Sequence, residues 1–379
     1  MSATGLTLGV SGWRLQNERT GIGRYLLSIV ERFSPELAAQ RFADINVYSP
    51  QPLAASRVHL PPHVNNKVLR SRLPMVPWEN LRLGPSATDD VVLYPSFSRP
   101  FFARRATVVT THDATMRIVP EMFTRRDRIV YDRLYGWSAR AATLVLTTSE
   151  AAKRDIVREW DVDPAKIRVT PLAAAECFHP LPADDDRGRL RHEMFGDDAP
   201  FFMFVGKISG RRNVPELLRA FARFKLGGHP HKLVVVGPTY AVEAVKVLAV
   251  AGGVASDIVT RSFVSDDVLN RIYNCADAFI MPSVYENGSL PVFEAQATGT
   301  PVISVATEGT DEITGGEALL IPRLEVGALV EAMTRIATDE SLRRDLSRRG
   351  LQNSRRYSWV RCAAETLAVC GEAAAMSHG

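Results

Sequence analysis

Cysteine is scarce in this chain: Cys177, Cys275, Cys362 and Cys370 are the four among 379 residues, far apart, with no Cys-x-x-Cys pair and no Cys/His cluster. That excludes a disulfide framework and a cysteine zinc site, and it reads as a protein of a reducing, cytoplasmic compartment. Long apolar runs are missing too. Nothing approaches the roughly 18 uninterrupted apolar residues of a membrane span, and residues 1–10 lack the basic start and long apolar core of a signal peptide. Glycine and proline, at 25 and 23 residues, form no tract or period, and charged residues make up an ordinary 23%. A collagenous, disordered or coiled-coil protein is therefore excluded. At this length a single core is too large, and two domains of roughly 150–200 residues are expected.

The charge is unevenly spread. Residues 1–183 hold 24 Lys+Arg against 17 Asp+Glu, whereas the remainder is acidic, within a net charge of +4. Between Arg99 and Arg133 stand eight arginines and four acids. Such a half suits an anionic substrate or an anionic membrane surface, although arginine-rich faces are common in proteins of this composition. Nucleic acid is not expected as a partner, because the region has no zinc spacing, no RNP-type aromatic motif and no basic helix with heptads.

Apolar runs and helical spacings alternate along the chain. In the first half, strands are predicted at 6–10, 45–48, 91–94, 107–111, 143–147 and 167–170, with helices at 24–33, 125–141 and 150–160. After Pro180 come Asp184, Asp185 and Asp186, a charged helical stretch and Asp197 to Pro200, read as a linker. A second series follows, with strands at 201–205, 232–236, 258–260, 278–281, 301–305 and 318–321 and helices between them. The expected organisation is a first α/β domain over 1–183, a linker over 184–200, a second domain over 201–355 and a closing helix over 356–379. Each half reads as a doubly wound parallel sheet, whose ligands sit at the carboxyl ends of the strands. The cleft between two such domains is the natural active site.

The strongest local signal is Pro282-Ser283-Val284-Tyr285-Glu286-Asn287-Gly288-Ser289-Leu290-Pro291-Val292-Phe293-Glu294. A strand ends at Pro282, a small-residue loop follows, and Pro291 suits the first turn of a helix. Unpaired N–H groups of such a helix start attract phosphate or sugar oxygens, and Glu286 and Glu294 are suited to accept hydrogen bonds from sugar or ribose hydroxyls. Two acids near a helix start are also ordinary dipole compensation. A second block, Gly206-Lys207-Ile208-Ser209-Gly210-Arg211-Arg212-Asn213, sets cations behind a strand-end glycine and makes a sensible diphosphate clamp. Alone, it reads more readily as a solvated basic turn before a helix. Thr20-Gly21-Ile22-Gly23-Arg24-Tyr25 follows a strand and opens a helix, but Leu26 stands where a dinucleotide fingerprint needs its third glycine. Thr110-Thr111-His112-Asp113 ends an apolar strand, a place where α/β enzymes display functional side chains.

These blocks resemble the retaining GT-B glycosyltransferases of family 4, from about Gly21 to Trp359. Glu286 to Val302 resembles the family's E-G-F-G-L-P…L-E-A-M-A-C-G-T-P-V, with Asn287 and Ser289 in place of its two loop glycines. Residues 205–213 resemble V-G-R-x-x-P-x-K-N, which places the paired cations at Lys207 and Arg212. The loops at Gly21–Gly23 and His112 resemble T-G-I-G-R-Y and T-x-H-D, Phe263-Val264-Ser265-Asp266 resembles the base-contacting turn, and Tyr357-Ser358-Trp359 resembles the closing helix that crosses back to the first domain. Thr147-Thr148-Ser149-Glu150 resembles a helix start, with Ser149 as its N-cap.

The resemblance implies a GT-B fold, two doubly wound Rossmann-like domains facing across a cleft, and transfer of a sugar from a nucleotide-sugar with retention of configuration. It implies Lys207 and Arg212 on the diphosphate, Glu286 on the donor sugar, Glu294 on the ribose, backbone amides of Asn287, Gly288, Ser289 and Leu290 on sugar or phosphate, Val264 at the base, Gly21 and Gly23 near the donor phosphate, and His112 at the reacting centre. GDP-mannose is the favoured donor, with UDP- and dTDP-sugars open. The acceptor expected is a glycan, lipid-linked, met at the inner membrane face, in bacterial polysaccharide or glycolipid assembly. No metal or cofactor is expected, since no Asp-x-Asp motif stands near these blocks and Asp184–Asp186 falls in the linker. A GT-B epimerase, a phosphorylase and a non-catalytic nucleotide-sugar-binding subunit are the rival readings. Leu69 to Trp78, with Met75 and Val76 beside Arg70 and Arg72, reads either as a membrane-dipping loop or as a packed segment.

Overall fold

The computed structural model describes residues 5–16, 21–182, 187–207 and 212–377. The chain forms two compact units, one of residues 1–172 with 358–379 and the other of residues 173–357.

The first unit holds seven strands, β1 (Thr7–Ser11), β2 (Asp44–Ser49), β3 (Val64–Val68), β4 (Val91–Tyr94), β5 (Ala106–Thr110), β6 (Leu144–Thr147) and β7 (Ile167–Val169). They run in the order β3-β2-β1-β4-β5-β6-β7, and each neighbouring pair is parallel. Strands β4, β5 and β6 are buried along their whole length, which is why they read as unbroken apolar runs: a parallel sheet is covered on both faces. β3 was not expected from the sequence. Its V-N-N-K-V alternates buried and exposed positions because it lies at the sheet's edge. Helix α1 (Gly21–Val30) buries Tyr25, Leu26, Leu27, Ile29 and Val30. The predicted helix at 125–141 is three consecutive pieces, Arg125–Asp127, a π-helical Arg128–Asp132 and α2 (Arg133–Ala141). Ser149 caps α3 (Glu150–Trp160) by accepting from the amide of Ala152 at 3.0 Å.

In the segment from Leu69 to Trp78, Met75 and Trp78 turn inward, whereas Leu73 is exposed. Trp78 is fully buried, Met75 nearly so, and the Trp78 indole donates to the carbonyl of Leu69 at 3.1 Å. An indole needs a partner for its N–H once buried, and the chain itself supplies it. The final helix, Trp359–Met376, belongs to this unit and lies on α1, β4, β5 and β6. It buries Trp359, Cys362, Ala363, Thr366, Leu367, Cys370 and Ala373, one face at helical spacing.

The second unit begins at Ala173, so α4 (Arg187–Phe195), in the stretch read as a linker, is one of its helices and lies against the later helix Asp266–Cys275. Its strands β8 (Phe201–Val205), β9 (Lys232–Val236), β10 (Ile258–Arg261), β11 (Ala278–Met281), β12 (Val302–Val305) and β13 (Leu319–Ile321) order as β10-β9-β8-β11-β12-β13. Helices α5 (Val214–Leu226), α6 (Asp266–Cys275), α7 (Leu290–Ala297) and α8 (Glu308–Thr314) intervene. A core of Phe202, Phe204, Leu217, Phe221, Phe224, Leu233, Val235, Ile280 and Ile303 joins the sheet to its helices. Both sheets are doubly wound, as expected, and each reverses its strand order next to its first strand, between β1 and β4 and between β8 and β11.

Candidate active site

In an open parallel sheet, helices flanking a reversal point leave on opposite faces, and the crevice at the carboxyl ends of the two strands receives the ligand. In the second unit those strands are β8 and β11. The turn carrying Lys207 and Arg212 follows β8, and the loop from Pro282 to Ser289 follows β11. The fold thus gathers the two blocks that the sequence separates by about seventy residues. Asn213 joins them directly: its Nδ2 donates to the carbonyl of Pro282 at 3.1 Å. Asn213 holds a left-handed conformation, φ 46°, which asparagine tolerates better than other side chains.

The β8 turn is built around Gly206, φ 138°. The Arg212 guanidinium folds over it and donates from Nη1 to the carbonyl of Val205 at 3.0 Å. The positive φ favours glycine here, and a Cβ would stand 1.6 Å from that nitrogen and displace the guanidinium. Lys207 is exposed. Arg211, with Ile208 to Gly210, lies outside the described residues, as do Thr20 and Asp184 to Asp186.

The β11 loop is buried although it is polar. Ser283, Glu286, Asn287 and Ser289 are all nearly inaccessible. Asn287 donates to the Tyr285 hydroxyl at 2.8 Å. The hydroxyls of Ser283 and Ser289 have no hydrogen-bond partner among the described residues. A buried hydroxyl left unpaired costs about 1–3 kcal/mol, so this loop is held at an energetic cost. Gly288 and Leu290 complete the loop at the start of α7, where Pro291 occupies the first turn. Glu294, on α7, is buried, and Tyr273 of α6 donates its hydroxyl to Oε2 at 3.0 Å, which fixes the carboxylate. Val264 lies half-buried in the turn after β10, and Ser265 beside it caps α6.

One determinant of this loop was missed. Gly309, in the first turn of α8, backs Glu286 and Asn287: a Cβ there would meet the Glu286 carbonyl at 2.0 Å and Asn287 Oδ1 at 2.2 Å. The sequence signal was Thr307-Glu308-Gly309-Thr310 after a strand, a capping box of Thr307 and Thr310 with a glycine inside it.

In the first unit the reversal lies between β1 and β4, and His112 stands just after β5. His112 donates from Nε2 to the carbonyl of Pro95 at 3.1 Å, and the rings of Tyr25 and Phe97 meet it edge-on at 5.0 and 5.3 Å. Burial lowers its pKa, so the imidazole is neutral and Nδ1 keeps its lone pair to accept from a hydroxyl. Phe97 is strained, with φ 65°; it is held by stacking on Tyr135 at 4.8 Å and by its amide donating to Thr110 at 3.0 Å. Such strain clusters at functional sites. Gly21 opens α1 exposed, with open space where a Cβ would go, and Gly23 is buried.

Sequence reasoning also missed Glu79. It is fully buried, with Ser11 donating to Oε1 and Ser98 to Oε2, both at 2.8 Å. These serines end β1 and follow β4, so the carboxyl group ties together the strands on either side of the reversal. Burial pushes its pKa up to about 7, against the pull of the two hydroxyls and of Arg14. Lying in an otherwise unremarkable helical stretch, Glu79 had no signal in sequence. Among the described residues no group of three or more His, Cys, Asp or Glu side chains is placed to hold a metal ion.

Residues 21–173 match the family model of Glycosyltransferase Family 4, and residues 190–353 that of Glycosyl transferases group 1. An O-antigen chain mannosyltransferase B of Escherichia coli is 25% identical over 372 residues, 92% of this chain and 95% of its own. Two solved structures share the fold. Sucrose-phosphate synthase of Thermosynechococcus elongatus superposes with a TM-score of 0.76 at 19% identity, over 95% of this chain and 97% of that one. HepE of Anabaena, in complex with UDP-glucose, does so with a TM-score of 0.75 at 17% identity, over 96% and 99%. Both are of GT-B fold, and so is this chain.

Proposed function

The chain belongs to the GT4-like glycosyltransferases, and from that premise we propose that it moves mannose from GDP-mannose, with retention of configuration, to a hydroxyl of a lipid-linked glycan in polysaccharide or glycolipid assembly. The observation that carries the donor side is the junction of the β8 turn and the β11 loop at one reversal point, tied by Asn213 and Pro282. Lys207 and Arg212 offset charge gathering on the leaving diphosphate, a stabilisation worth most where it is aimed in advance. Glu286 and the backbone from Asn287 to Leu290 take the sugar hydroxyls. Glu294, held by Tyr273, takes the ribose, and the turn at Val264 takes the base. In the first unit, His112 offers its Nδ1 lone pair to a substrate hydroxyl. The likeness to a mannosyltransferase over nearly the whole of both chains supports mannose; the UDP-glucose held by HepE keeps UDP-sugars as the alternative. No metal is assigned a part, the clamp being cationic.

A thermal-shift panel of GDP, UDP, dTDP, ADP and NAD, each with and without magnesium, tests this reading. A ligand at about 100 times its Kd adds roughly 2.7 kcal/mol of stability, several degrees of melting temperature. GDP should shift the protein equally with and without the metal, and NAD should not. A shift by UDP alone replaces the donor, and a shift that needs magnesium overturns the metal-free clamp. With GDP-mannose and an acceptor glycan, NMR of the product should show the donor's own anomeric configuration.

A further inference from the structure

The loop from β4 to β5 reads Arg99-Pro100-Phe101-Phe102-Ala103-Arg104-Arg105. Phe102 is 89% exposed and Phe101 54%, with Arg104 and Arg105 exposed beside them. The root of this loop is fixed. The Phe101 amide donates to Asn80 Oδ1 at 2.8 Å. The Phe101 ring packs on Trp137 of α2 at 5.0 Å. Arg99 is buried, its guanidinium bonded to the carbonyl of Ala141 and set 5.4 Å from the Trp137 ring. Two turns before Trp137, the π-helical stretch exposes Ile129 and Val130 among exposed Arg125, Arg126, Arg128 and Arg133. The acids of that stretch are engaged internally: Asp127 accepts from Thr124 at 2.8 Å, and Asp132 from Arg117 at 2.7 Å and Trp160 at 2.9 Å. The arginines are left as the outward charge.

Adjacent phenylalanines held out in water on a rigid base are unfavourable unless something covers them. Apolar tips ringed by arginine match a bilayer interface, where rings enter the acyl boundary and guanidiniums meet anionic headgroups. A second copy fits poorly, since a two-fold contact would bring the same arginines face to face. We infer that this face of the first unit, with Phe102 as its wedge, docks on a membrane bearing anionic lipids. The inference deepens the reading of a lipid-linked acceptor and names the surface that meets the lipid. Its test uses no sugar substrate, so either can fail alone.

The test is co-flotation of the full chain with vesicles of phosphatidylethanolamine and phosphatidylglycerol, compared with phosphatidylcholine alone. The wild type should float with the anionic vesicles. Phe102→Ser, which removes an exposed ring and leaves Phe101 on Trp137, should keep the melting temperature and lower partitioning about tenfold. Exchange of Arg104 and Arg105 for Glu should abolish the preference for the anionic vesicles. A wild type that stays in solution, a Phe102→Ser protein that floats like the wild type, or a wild-type dimer that Phe102→Ser converts to monomer would each overturn the proposal.

Discussion

Glu79 is a carboxyl group whose surroundings choose its protonated form. Its pKa stands near 7 when folded, against about 4.3 in an unfolded chain. Between these values the folded state keeps a proton that the unfolded state has lost, so stability falls as pH rises from about 4.5 to about 7 and is level beyond. The span corresponds to about 4 kcal/mol. Glu79→Gln keeps a partner for Ser11 and Ser98 without the charge. Denaturant melts from pH 4.5 to 8 should show a shallower slope in this variant and a gain near pH 8. An unchanged slope would mean that Glu79 is ionised in the fold. His112 behaves in the opposite sense. Burial favours its neutral form, and acid costs stability as the unfolded chain takes up a proton that the buried ring resists.

Among the elements, α8 shows best how the loop after β11 is held. Most helix glycines are replaceable, and alanine gains about 1 kcal/mol of propensity. At Gly309 that gain meets a wall, because the new methyl group would overlap the Glu286 carbonyl. Gly309→Ala should therefore displace the loop by a fraction of an ångström or more. Its dissociation constant for whichever nucleoside diphosphate stabilises the wild type should rise about a hundredfold, with the far-UV spectrum unchanged. Isothermal titration gives the number, and an unaltered constant would remove this loop from the donor site. Strands β8, β9 and β11 fall on the residues that periodicity indicates, since apolar runs bounded by turn residues have few other solutions. Edge strand β3 was illegible for the converse reason: alternate residues, Asn65 and Lys67, face solvent, and its polar sequence looks like a loop.

On the scale of the molecule, the chain leaves the first unit at Leu172 and re-enters it at Ser358. The returning helix supplies Trp359, Leu367 and Val369 to a core whose other elements all lie in the first 172 residues. Each such side chain is worth about 1.5–3 kcal/mol when buried, and a domain's net stability is about 5–15 kcal/mol. Deleting residues 358–379 should thus unfold the first unit and spare the second. Hydrogen exchange should show protection lost in β4, β5 and β6 and kept in β8 and β11; equal loss in both would mean that the two units fold as one. No helix among the described residues is long and apolar enough to cross a membrane.

Local chemistry was enough to indicate the alternation of strand and helix, the strand-end glycine before Lys207, and the acids on either side of the helix start at Leu290, because each depends on neighbours within a few residues. What only the tertiary structure decided depends on groups distant in sequence. It turned Trp78 inward, since the Leu69 carbonyl was there to receive its N–H. It raised the pKa of Glu79 by enclosing it with Ser11 and Ser98. It set Gly309 behind Glu286, and it left Phe102 outside. Periodicity records which face of an element is apolar; what lies against that face, and whether a polar group finds a partner there, is settled only when the sheets close.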